Sequence, residues 1–88
     1  MKKLSFYAQK NVISHALKVY RVKENLTQAE LAAKMQTMGI NLDQQMISKI
    51  ENNTRIVTDY ELASFCLALH IQLEDLLEDF YEKYAEKS

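Results

Sequence analysis

The stretch from Asp43 to Arg55, DQQMISKIENNTR, governs how the remainder of the chain is read. Over residues 44–52, Ile47 and Ile50 share one side of an α-helix and define its buried direction, while Gln45, Ser48, Lys49 and Asn52 lie roughly opposite. That outer edge carries amides, a hydroxyl and a single lysine, where a merely solvated face usually holds more Glu and Lys. An amide side chain presents a donor and an acceptor together, which matches the N6 and N7 edge of adenine in a major groove. Glu51 falls on the flank of the buried stripe, where an unpaired carboxylate costs several kcal/mol in desolvation, of order 3 or more. Arg21, on the corresponding flank of an earlier helical stripe, is its expected bidentate partner; the alternative is that each side chain reaches water independently.

Upstream of this stretch, Phe6, Ile13, Ala16, Leu17 and Tyr20 recur at helical spacing, and the pattern stops near Asn25. Thr27 followed by Glu30 is a capping box, so a second helix opens there and runs through Leu31, Ala32 and Met35 to Gly39, a natural left-handed stop. The intervening GINLD ends in Asp43, which can cap the helix of residues 44–52. Downstream, Thr58 with Glu61 repeats the capping box for a fourth helix carrying Leu62, Phe65, Cys66 and Leu69. Leu73, Leu76, Leu77, Phe80 and Tyr84 form a fifth stripe. The expectation is an all-α, five-helix single domain over residues 1–88.

Composition fits this and narrows the function. The 88 residues are 48% hydrophobic and 26% charged, with one glycine and no proline, so hairpins and glycine-rich phosphate loops are not expected. One cysteine, Cys66, and two distant histidines, His15 and His70, exclude an intrachain disulfide and give no structural metal or metal-cofactor set. Cys66 is read as a small core residue, and no nucleophile stands beside a base, so an enzyme is not expected. No run of eighteen apolar residues and no apolar leader is present, which makes the cytoplasm the expected compartment and a membrane partner unexpected. The net charge of -1 conceals an asymmetry: nine basic residues against four acidic ones up to Arg55, then two against eight. The first part can face a polyanion and the second repels it.

The runs LTQAELAAKM, DQQMISKIENNTR, TDYELASFCLAL and IQLEDLL resemble the Cro and phage-repressor type of helix-turn-helix domain over about residues 12–77, with 78–88 as a C-terminal helical extension. The resemblance implies double-stranded DNA as partner, a recognition helix at 44–52 entering the major groove, and a homodimer on half-sites about one turn apart. It assigns base reading to Gln44, Gln45, Lys49 and Ser48, backbone contacts to Gln28, Asn52 and Arg55, and an internal ion pair to Arg21 with Glu51. It therefore implies a transcriptional regulator, read as a repressor, of bacterial or phage type.

The chain departs from the family pattern in a longer passage between the second and third helices, and in Asn53, His70 and Gln72 at positions of common turn and cap residues. Met46 is expected to pack inward. For the C-terminal stripe two arrangements are open: folding back onto helix one, or pairing Leu76, Phe80, Tyr81 and Tyr84 with a second copy, which is the expectation adopted. The alternative function is a protein-interaction module or antitoxin-like protein that keeps the fold and engages a protein partner, such as a toxin, through its acidic C-terminal segment.

Overall fold

Thr27 and Thr58 each accept the amide of the residue three positions on, and Glu30 and Glu61 reach back to the threonine amides at 2.8 and 3.0 Å. These two reciprocal caps start the second and fourth helices of the chain, whose computed structural model describes residues 9–84. Six helices follow in order: α1 (Ser14–Lys23), α2 (Gln28–Thr37), α3 (Gln44–Glu51), α4 (Asp59–Leu69), α5 (Leu73–Leu76) and α6 (Glu78–Tyr84). No strand occurs among the described residues, and no helix among them is long and apolar enough to cross a membrane.

Left-handed residues separate the helices. Asn25, Gly39, Asn53 and His70 have φ of 60°, 82°, 62° and 58°, a region that glycine enters freely and asparagine more readily than most other residues. After α2 the Ile40 amide returns to the Met35 carbonyl at 3.0 Å, closing the helix end around Gly39. The passage between α2 and α3 then turns inward. Leu42 is fully buried, and Gln36 Nε2 donates to its carbonyl at 2.9 Å. The length added relative to the compact family pattern is thus anchored to the core, and Asp43 starts α3 by accepting the Met46 amide at 2.8 Å.

Leu17 from α1, Leu31 and Met35 from α2, Ile47 and Ile50 from α3, Phe65 and Leu69 from α4, and Leu76 from α5 are all wholly buried in one cluster. Each such side chain contributes roughly 1.5–3 kcal/mol of transfer free energy. Met46 packs against the same cluster, as does Cys66. α3 is braced by α1 and α2, whereas α4 packs on α1, α2 and α5.

Two expectations are corrected. The fifth stripe is not one helix: it breaks at Leu77 into α5 and α6, with Leu76 wholly buried in the core and both α5 and α6 packed on α1. The first helix begins only at Ser14, since Asn11 takes up a turn in which its Oδ1 accepts the Ile13 amide at 2.9 Å. Phe6, which the periodicity places on that helix, lies outside the described residues.

Candidate nucleic-acid interface

α3 presents two unlike sides. Ile47 and Ile50 face the core with no exposure, while Gln44, Gln45, Lys49 and Asn52 are exposed and Ser48 is half-buried beside them. The side-chain amides of Gln44, Gln45 and Asn52 and the Lys49 ammonium are thus available to a partner along one helix edge.

The base of α3 is fixed by a network that begins with Arg21. Its Nε donates to Glu51 Oε2 at 2.7 Å and its Nη2 to Oε1 at 3.0 Å, while Nη1 donates to the Leu26 carbonyl at 2.8 Å. The side chains are 11% and 3% exposed, so the pair is almost dry. The hydrogen bond to Glu51 raises the Arg21 pKa above its ordinary value against the opposing effect of burial. Gln28, at the first turn of α2, donates its Nε2 to Glu51 Oε1 at 3.0 Å. One amide proton of Gln28 is therefore engaged inside the chain, and a phosphate contact would have to use the other or the backbone at the helix start.

Arg55 also turns inward. Its Nη1 and Nη2 donate to the two carboxylate oxygens of Glu61 at 3.0 and 3.2 Å, and Nη1 donates to the Ile56 carbonyl. Burial pushes the Glu61 carboxyl up, but the Arg55 guanidinium and the Thr58 amide outweigh it and hold the pKa below its usual value. The expected backbone clamp is thus folded onto the start of α4, and Asn52 is left as the exposed group at that end of α3.

Sequence reasoning missed the tie between the chain's N-terminal segment and the end of α3. Asn53 Oδ1 accepts the amides of Lys10 and Asn11 at 2.6 and 3.2 Å, and its Nδ2 donates to the Asn11 carbonyl and to Ser14 Oγ. Asn11 Nδ2 in turn donates to the carbonyls of Ile50 and Arg55, each at 3.0 Å. These bonds place the exposed Lys10 next to the C-terminal end of α3. Only the paired asparagines could have signalled this, and asparagine pairs have no periodic signature.

Elsewhere the arrangement offers little chemistry. No group of three or more metal-ligating side chains occurs among the described residues. Burial, then the Asp75 and Glu74 carboxylates, raise the Cys66 thiol pKa. Of the residues assigned to a dimer contact, Leu76 belongs to the chain's own core, Phe80 is half-buried with its ring edge-on to Tyr81 at 5.7 Å, and Tyr81 is exposed; the side chain of Tyr84 lies outside the described residues. α5, which carries the buried Leu76, and α6 both pack on α1, and His15 Nδ1 lies 3.1 Å from Asp79 Oδ2, so this segment folds back along the first helix.

A helix held by its base with a polar edge outward, preceded by a second capped helix, is the geometry of a helix-turn-helix. The family model described as helix-turn-helix matches residues 17–76, from within α1 to the end of α5. The chain belongs to the Cro and phage-repressor type of helix-turn-helix family. That family consists of regulatory DNA-binding proteins.

Solved structures similar to this helix-turn-helix protein include the clp gene regulator ClgR from C. glutamicum, at 25% identity and a TM-score of 0.70, covering 83% of this chain and 88% of that one. The restriction-modification controller protein C.AhdI from Aeromonas hydrophila shares the fold at 23% identity and a TM-score of 0.70, covering 83% of this chain and 99% of its own. A hypothetical transcription factor, NHTF from Neisseria, shares it at 19% identity and a TM-score of 0.71, covering 98% and 93%. No curated protein matches the chain.

Proposed function

We propose that this protein is a sequence-specific transcriptional regulator that binds an operator as a homodimer and acts as a repressor by occupying it, with no catalytic step. The observation that carries the reading is the outward polar edge of α3, where Gln44, Gln45, Lys49 and Asn52 are exposed over a base of fully buried isoleucines.

In this reading α3 enters the major groove. Gln44, Gln45 and Lys49 meet base edges, with Ser48 reaching a base or a phosphate, and each good bidentate contact contributes roughly 1–3 kcal/mol of discrimination. Gln28 and Asn52 take the sugar-phosphate backbone on either side, the first helped by the N-terminus of α2. Arg55 serves the backbone only through the exposed part of its guanidinium, since Glu61 holds the rest. ClgR and C.AhdI, a gene regulator and a controller protein, support a regulatory role for the same scaffold.

The experiment is selection of bound duplexes from a random pool. Enrichment of an inverted repeat is the expected result, because a two-fold dimer reads two half-sites about one helical turn apart. Recovery of unenriched sequence overturns the reading.

A further inference from the structure

Seven lysines and arginines lie between Gln9 and Arg55, and the fold engages four of them internally. Arg21 and Arg55 are bonded to Glu51 and Glu61, Lys34 Nζ donates to the Ala68 carbonyl at 2.8 Å, and Lys23 lies over the Tyr20 ring at 5.1 Å. Lys10, Lys18 and Lys49 are the exposed remainder. The positive field that a polyanion meets is therefore narrower than the count of charges implies, and it depends on where these three stand.

We infer that Lys10, which precedes α1, is a further contact to the phosphate backbone of duplex DNA, and that Asn53 is the positioning residue that holds it at the C-terminal end of α3. The Lys10 and Asn11 amides both donate to Asn53 Oδ1, at 2.6 and 3.2 Å, and Asn53 Nδ2 returns a bond to the Asn11 carbonyl at 3.1 Å. Asn11 Nδ2 completes the clasp by donating to the Ile50 and Arg55 carbonyls. Lys10 is thus fastened through its own backbone to the residue that follows the exposed Asn52, and its ammonium stays in solvent. A lysine whose main chain is already fixed loses less freedom when it meets an anion.

Charge gives this position its purpose. The C-terminal end of a helix carries partial negative charge, so a phosphate arriving there needs a cation beside it. Arg55, the residue expected to supply one, has both terminal nitrogens of its guanidinium on Glu61. The Asn11 bond to the Arg55 carbonyl brings the N-terminal segment to that same turn, so Lys10 stands where the arginine charge has been drawn inward. The inference rests on the proposed binding of duplex DNA, and its test separates phosphate contact from the reading of an operator.

The measurement is fluorescence anisotropy of the full chain with a selected and a scrambled duplex across a salt series, with circular dichroism as the check on folding. Lys10→Gln is expected to weaken both duplexes by the same factor and to reduce the slope of log affinity against log salt by about 0.9, whereas Lys10→Arg keeps the slope. Neither substitution touches the bonds to Asn53, which use the Lys10 backbone amide. Asn53→Gly keeps the left-handed turn and releases the segment, so it is expected to reduce the slope equally, with no further fall when Lys10→Gln is added. An unchanged slope with Lys10→Gln, or an equal fall with Lys18→Gln, overturns the contact. Additive falls from Asn53→Gly and Lys10→Gln overturn the positioning. A Lys10 effect in a protein that binds the two duplexes equally would refute the operator reading and leave this one standing, and absence of binding to any duplex refutes both.

Discussion

Glu51 receives the fork of Arg21 through two hydrogen bonds of 2.7 and 3.0 Å at the C-terminal end of α3, so the helix that carries the polar edge is bolted to α1. The pair is almost fully removed from water, and the consequence is asymmetric. Arg21→Ala leaves Glu51 buried with only Gln28 beside it and is expected to destabilise the fold by about 3 kcal/mol. Arg21→Lys is expected to fall short of rescue, since lysine cannot hold both carboxylate oxygens and the Leu26 carbonyl in one plane. Replacing both residues by methionine should recover much of the loss. Urea unfolding of the four proteins is the check, and full recovery by Arg21→Lys would count against the planar fork.

Asn53 makes four hydrogen bonds to the N-terminal segment and the start of α1 while holding φ at 62°. Asn53→Gly keeps the backbone conformation and loses the bonds; Asn53→Ala loses both. Both variants are expected to be less stable, with alanine worse than glycine by about 1 kcal/mol, the approximate cost of a left-handed non-glycine residue. Equal midpoints in chemical denaturation would show that the backbone conformation carries no weight here.

Glu61 gives a pH dependence with a defined sign. Its folded pKa is lowered, so its interactions stabilise the protein above the unfolded value of about 4.3 and that contribution is lost as pH falls toward the folded value. The wild-type stability is therefore expected to drop faster than that of Glu61→Gln below about pH 4, with Glu61→Gln the less stable at neutral pH. Parallel acid limbs in the two proteins would remove Glu61 from the account.

Cys66 is half-buried with its thiol pKa raised by burial and the neighbouring carboxylates. Less thiolate forms near neutrality, so alkylation by iodoacetamide should be slower in the folded chain than in the urea-unfolded one. Equal rates would mean that the thiol is neither shielded nor shifted.

What the sequence disclosed was what it encodes within a turn or two. Thr27 with Glu30, Thr58 with Glu61, and Asp43 announce helix starts because donor and acceptor lie three residues apart. Gly39 and Asn53 announce stops because few residues tolerate positive φ. The outward edge of α3 and the Arg21–Glu51 pair were legible because the helical period fixes which residues share a direction. Contacts that period does not constrain were not legible. Asn11 meets Asn53 across 42 positions through a non-helical segment, and Arg55 finds Glu61 across a turn, which changes an expected phosphate contact into a partly internal one. The break at Leu77 accompanies the packing of α5 on α1 and α4 and of α6 on α1, tertiary contacts with no local mark in the sequence.

The central claim is that the outer edge of α3 lies against base pairs. Its most direct test is an NMR titration of isotope-labelled protein with a selected duplex, following the side-chain amide resonances of Gln44, Gln45 and Asn52. These three are expected to shift together, and Gln45→Ala is expected to flatten the preference for the selected duplex over a scrambled one. Unmoved glutamine amides, with the perturbed resonances confined to α4 or α6, would contradict it.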